Sequence, residues 1–223
     1  MIAFDQSGQL AGWLHLNHIE AVDWEDMDSY HDDGPRLLAA DVGDNLSRRK
    51  NVTLYLFDEP DPNNGTPLDR FQTLTVEYEG GPRNCESVTV DVANRRILLL
   101  SKSPIMAALY SVPLPPHEDS PGGKLKHEYI AKRVAGPLAI PMATGMDLCP
   151  KTGDLWISSY LHGFRFTIAQ DEKIEEALSG DFKLIEMPKL RQIEAIAVTR
   201  QGQIWVGSEG TPARLQRIRL PKP

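Results

Sequence analysis

Cysteine is nearly absent from this chain: Cys85 and Cys149 are its only two. Two thiols make no disulfide framework, and no CxxC pair is present for a redox or zinc site. The six histidines are scattered, which argues against a zinc centre. No GxSxG elbow, HExxH helix or Gly-rich phosphate loop occurs. GGPRN at 80–84 and SPGGK at 120–124 read as turns between strands. No apolar run approaches the roughly 18 residues of a membrane span, so no membrane partner is expected. The N-terminal MIAFDQSG has neither the basic nor the apolar region of a signal peptide. As written, the chain reads as cytoplasmic; a missing N-terminal segment would make it exported. Basic charge is in deficit, and the net charge is −7. With no basic-aromatic stripe, nucleic acid is not an expected partner. The same deficit suits a cation.

Helical periodicity is also scarce. The best helix is DEKIEEALSG at 171–180, with Asp171 as cap and Gly180 as stop. What is abundant is short β-rich runs punctuated by Gly, Pro, Asn and Asp. Four segments repeat: HIEAVDWEDM from His18, NCESVTVDVANRRILLL from Asn84, MATGMDLCPKTGDLWIS from Met142 and QIEAIAVTRQGQIWVGS from Gln192. Their key position is Glu20, Glu86, Gly145 and Glu194. In the last three a tight turn leads to a second apolar run; in the first, the longer loop DSYHDDGP precedes RLLAADVG. Third strands follow in VTLYLFDEP, AALYSVPLP, GFRFTIA and ARLQRIRLP. Fourth strands follow in RFQTLTVEYE, KLKHEYIAKRV and FKLIEMP.

Four strands recurring every ~50–65 residues are the pattern of propeller blades. The expected fold is all-β: a single β-propeller domain over 1–223, built of four-stranded antiparallel blades. Five blades with the first incomplete is the preferred count, with four as the alternative. The last unit, 192–220, ends after its third strand, and the strands within 1–16 are expected to close the ring against it. An incomplete first blade would make either a monomer or a dimer through that blade.

The chain resembles a group of bacterial β-propeller proteins of unassigned function. The resemblance rests on Asp23-Trp24-Glu25-Asp26, Gly43-Asp44-Asn45, Arg48-Arg49 and the strand Leu54-Tyr55-Leu56-Phe57-Asp58-Glu59-Pro60. More distantly, the IEA and CES blade starts are similar to those of phytase-like propellers, which hold calcium with channel carboxylates. That likeness implies calcium as a candidate cofactor; no phytase catalytic motif carries over.

First strands of blades line the central channel, so Glu20, Glu86 and Glu194 are expected to form part of a ring at one mouth. Like charges in a ring raise one another's pKa or attract a cation. A hard cation such as Ca²⁺ takes six to eight oxygens, and Glu20, Asp41, Asp44, Asn45, Glu86 and Glu194 are the candidate ligands. The alternative is that each Glu accepts backbone N–H groups and locks blade to blade. The polar rim that could take a small molecule or peptide is Glu20, Asp44, Glu86, Lys102, Tyr160, His162, Glu194 and Glu209. Lys102 is expected to pair with Glu86, and His162 to lie in a loop.

Asp23 is placed level with Thr89 and Ala197, and should fix its blade and first loop through Arg48, Arg49 or a metal. Trp24 is expected between blades. Asp26, Asp28, Asp32 and Asp33 are expected in a solvated loop at the opposite mouth. Glu20 and its ring, rather than Glu25 or Asp26, are the carboxylates expected to do chemistry. Two functions follow: a propeller scaffold or binding protein with an acidic mouth and calcium as a candidate stabiliser, or a calcium-dependent hydrolase of phosphoesters or esters.

Overall fold

Most β-rich runs of the sequence become strands, and the order of pairing sorts the strands into blades. The structure is a computed structural model that describes all residues except 6, 18, 64–67, 119–124 and 221–223. His18 and the expected SPGGK turn therefore lie outside the described residues. A two-stranded sheet comes first, β1 (Ile2–Phe4) with β2 (Leu10–Trp13). Four blades follow. The first is β3 (Trp24–His31), β4 (Pro35–Asp41), β5 (Val52–Asp58) and β6 (Gln72–Tyr78). The second is β7 (Cys85–Asp91), β8 (Arg96–Ser101), β9 (Ala107–Pro113) and β10 (Leu125–Leu138). The third is β11 (Ala143–Leu148), β12 (Leu155–Ser159), β13 (His162–Phe166) and β14 (Lys183–Glu186). The fourth has three described strands: β15 (Ile193–Val198), β16 (Ile204–Ser208) and β17 (Leu215–Ile218).

Within each blade the pairing is antiparallel and sequential, and the first strands β3, β7, β11 and β15 pack side by side in that order. This is a β-propeller, and each sheet buries its faces against the next. Leu38, Leu54 and Leu74 of the first blade meet Val88, Leu99 and Tyr110 of the second. Leu98, Leu100 and Leu109 meet Met146, Ile157 and Phe164 of the third. Trp156, Ile185 and Met187 meet Ile196, Val206 and Ile218 of the fourth. Apolar residues on both faces of β8 and β12 explain why these runs are continuous rather than alternating in sequence.

The first two blades are also joined at their rims. The first half of β10, Leu125–Ala131, runs parallel to β6; the second half, from Lys132 on, pairs antiparallel with β9. One strand thus serves two blades and covers both outer edges.

The remaining face of the first blade, with Ala39, Tyr55, Phe57 and Phe71, is covered by Leu14, Leu16 and Ile19 from the segment after β2. The β1–β2 sheet stands beside the wedge between β3 and β15. Met1, Ile2, Leu14, Trp24, Met27, Ala195 and Ala197 border a cavity of about 700 Å³ there. That is the position of a blade with only one strand pair, as the sequence predicts for the incomplete blade. Among the described residues β1 and β2 pair only with each other, and β17 has no strand on its outer edge.

The helix is shorter than its sequence pattern. α1 spans Ile174–Ala177, and Lys173 stands at its N-cap without a side-chain bond. Asp171 is not the cap; it takes a positive φ of 65° in the preceding turn. Ile174, Ala177 and Leu178 are buried, and two of them join the core between the second and third blades. Tertiary burial rather than capping therefore holds this turn.

Candidate functional site at the channel mouth

The four innermost strands share one irregularity. Each carries a bulge near its start, where one residue of the strand stands without an opposite partner. In β3 the register jumps between Trp24 and Asp26, in β7 between Cys85 and Ser87, in β11 between Ala143 and Gly145, and in β15 between Ile193 and Ala195. The bulged residues are Glu25, Glu86, Thr144 and Glu194. A bulge re-aims the extra side chain, and here it does so at the same level of every blade.

This register corrects the sequence reading in the first and third blades. Glu25, not Glu20, is the counterpart of Glu86 and Glu194, and Thr144, not Gly145, fills the third place. Glu20 is exposed in the segment before β3. Asp26 is level with Ser87, Gly145 and Ala195, and Asp28 is level with Thr89, Asp147 and Ala197. Asp26 and Asp28 are therefore strand residues, not loop residues. The tight turn of this hairpin is confined to Asp32–Gly34, where Asp33 and Gly34 have positive φ.

The two aspartates bind the neighbouring blade. Asp26 Oδ2 accepts the Val88 N–H at 2.8 Å; Asp28 Oδ2 accepts the Val90 N–H at 2.6 Å and the Thr89 hydroxyl at 3.1 Å. The device repeats around the channel. Thr89 Oγ1 accepts the Leu148 N–H at 3.2 Å, and Asp147 Oδ2 accepts the Val198 N–H at 2.5 Å. Gly145 serves the same contact by lacking a side chain: a Cβ would meet Ser158 Oγ at 2.9 Å and Ile196 N at 3.0 Å. Burial pushes Asp26 and Asp147 well above the ordinary carboxylate range and Asp28 up to about 6, while the backbone N–H groups oppose the shift. The blade-locking role expected for the glutamates thus belongs to residues one and three positions beyond the bulged ones.

The acidic second-strand end of the first blade is also structural. Asp41 accepts the N–H groups of Val22 and Asp23 and pairs with Arg49 at 2.9 Å. Asp44 accepts the N–H groups of Arg48 and Arg49 at 2.9 and 2.8 Å. Asn45 accepts from Asn84. So Asp41, rather than Asp23, fixes the loop before β3. Trp24 is 44% exposed and packs on Tyr55, with ring centroids 5.6 Å apart, instead of between blades.

At the mouth itself Lys102 is buried against Glu86, and the two form a direct ion pair. Lys102 Nζ also lies 2.6 Å from the Tyr160 hydroxyl and 4.6 Å from its ring centroid. Burial alone would push the Lys102 ammonium down; the bonds to Glu86 and Tyr160 outweigh it and hold the ammonium above its usual range. Glu86 further accepts from Asn84 at 3.2 Å. These contacts confirm the expected Lys102–Glu86 pair and add Tyr160 to it.

Glu25 is the uncompensated member. Burial lifts its carboxyl to about 8, with repulsion from Glu86, Asp23 and Glu194 adding to the shift and Lys102 opposing it. Gly43 permits this crowding, because a Cβ there would lie 2.4 Å from both an Asp23 and a Glu25 carboxylate oxygen. Glu194 is raised in the same direction, first by burial and then by Glu86 and Glu209, against the pull of Lys102. Glu209 is exposed at the rim. His162 is not in a loop; it opens β13, exposed, opposite Glu186. Among the described residues, no three of His, Cys, Asp and Glu converge closely enough to hold a metal ion. Of the expected ligands, Glu20 lies outside the row of bulged residues, and Asp41, Asp44 and Asn45 accept hydrogen bonds from protein donors.

Sequence reasoning set Glu25 aside in favour of Glu20, gave Asp23 a purely structural role and did not single out Thr144. A signal for the first was available, since DWED aligns with NCES as well as IEA does with CES. No described helix is long and apolar enough to cross a membrane. No family model matches the chain, and no curated protein matches it. Among solved structures, the chain is similar to the WD40 β-propeller domain of Doa1, at 15% identity and a TM-score of 0.42. The match covers 83% of this chain and 62% of that domain's length.

Proposed function

We propose that this protein is a binding propeller whose channel mouth takes a small molecule or peptide through a positively charged group. The observation that carries the reading is the imbalance at the mouth. Lys102 is committed to Glu86 and Tyr160, which leaves Glu25 and Glu194 half-buried and without a cation. Two carboxyls held above their ordinary range in one place are a site that a cationic group would relax. An ammonium fits better than a hard metal, because it needs fewer oxygens than the six to eight of Ca²⁺.

Isothermal titration with 1,4-diaminobutane tests this, with 1,4-butanediol as the uncharged control. Binding near pH 7 should release a proton, since Glu25 is largely protonated when free. The heat should therefore depend on the ionisation enthalpy of the buffer. Glu25→Gln should abolish that dependence. Equal binding of the diol, or no binding of either, would sink the reading.

A hydrolase is the second reading, and one observation favours it: a carboxyl titrating near 8 is suited to general acid chemistry at neutral pH. In the calcium-dependent form, Glu194 would be among the ligands of the ion. Titration with calcium alone, followed by thermal unfolding, separates the two: a calcium-dependent rise lost in Glu194→Gln supports the second reading against the first.

A further inference from the structure

At the rim, the third and fourth blades leave a long groove that the first and second do not. It lies between β14 and β17, runs along 183–188 and 215–220 with Trp205 at its base, and encloses about 920 Å³. Both of its walls are sheet edges without a partner among the described residues. The corresponding gap between the first two blades is filled. There one extended segment, β10, runs parallel to β6 and continues antiparallel to β9.

We propose that the groove binds an extended acidic segment of another protein as an added strand, antiparallel to β17 and reaching β14 as β10 reaches β6. Backbone geometry supports the pairing. Ser208 N–H bonds to Arg214 C=O, and strand pairs alternate, so the N–H and C=O of Leu215 and Arg217 point away from β16 to the open edge. An exposed edge of this kind is a template for strand addition.

Charge sets the chemistry of the occupant. In a chain of net charge −7, this groove carries Lys183, Arg217 and Arg219 against Glu186 alone. None of the three cations has an ion-pair partner among the described residues. Arg217 and Arg219 are two apart on one face of the edge, so acidic residues at alternate positions of the incoming strand would stand opposite them. The residues between would meet Ile218, Met187 and Ile185, which are buried and apolar. The occupant is thus a strand alternating acidic and apolar side chains.

Fluorescence anisotropy with the full chain tests this. The probe is a labelled decapeptide of alternating glutamate and valine. Its controls are the lysine–valine peptide and the glutamate–valine peptide N-methylated at alternate residues. The expected result is saturable binding of the first, at least tenfold tighter than of either control. Arg217→Glu with Arg219→Glu should weaken it tenfold or more while the thermal midpoint stays unchanged. Leu215→Pro, which removes one outward N–H without altering charge, should do the same. Equal binding of acidic and basic peptides, or retained binding of the N-methylated one, overturns the proposal. So does a concentration-dependent dimer that the arginine variants abolish, because the groove would then be filled by a second copy.

Discussion

Glu25 and Glu86 occupy the same bulge in neighbouring inner strands, yet only Glu86 has a lysine. The pair Lys102–Glu86 neutralises one carboxylate of the mouth, and Glu25 absorbs the repulsion of the rest. From this difference come both the proposed binding chemistry and the first expected pH effect.

Between about 4.3, the ordinary value in an unfolded chain, and about 8, the folded state keeps a proton on Glu25 that the unfolded state has lost. Stability should therefore fall as pH rises through this window and level off above it. Glu25→Gln mimics the protonated form. It should match the parent chain below the window and exceed it increasingly up to about pH 8. Urea unfolding at several pH values reads the difference. A variant less stable at pH 8 would show that the Glu25 carboxylate is favourably held.

Lys102 is 9% exposed and Glu86 6% at their side chains. Lys102→Met would strand the Glu86 carboxylate without its partner, at a cost of about 3 kcal/mol. Adding Glu86→Gln should return much of that loss. Urea unfolding of the single and double variants measures the coupling; additive losses would mean that the pair contributes little.

Asp28 holds two donors of the second blade. Asp28→Ala should cost about 2 kcal/mol, because the buried Val90 N–H would lose its acceptor. Asp28→Asn keeps an acceptor oxygen and should lose less. Thermal unfolding of both variants checks the order, and equal losses would assign the effect to charge rather than to the hydrogen bond.

The blade pattern was legible because continuous apolar runs, Gly and Asn turns and a fourfold repeat all agree on it. The first blade was misplaced by five residues. Ile19-Glu20-Ala21 matches Ile193-Glu194-Ala195 residue for residue, whereas the true counterpart, Trp24-Glu25-Asp26, puts carboxylates in mid-strand. A lone sequence prices buried Asp26 and Asp28 as loop residues. What makes them tolerable is the row of N–H groups on β7, some sixty residues away, and no local pattern shows it. Asp41, Asp44 and Asn45 look like free oxygen donors in the sequence; the fold gives Asp41 and Asp44 backbone N–H partners and Asn45 the side-chain amide of Asn84.

Gly145 is needed for the approach of β11 to β15. Gly145→Ala brings a Cβ against Ser158 and the backbone of Ile196, and overpacking of this kind costs roughly 1–3 kcal/mol. Thermal unfolding should show the loss. An unchanged midpoint would mean that the third and fourth blades separate freely.

The most direct measurement is a ¹³C-detected titration of the glutamate carboxyls, in the parent chain and in Glu25→Gln. One carboxyl with a midpoint near 8, absent from the variant and moving down when 1,4-diaminobutane is added, is the expected result. If every glutamate titrates near the ordinary value of about 4.3 and the variant removes only an ordinary one, the mouth holds no uncompensated carboxyl and the account of the site is wrong.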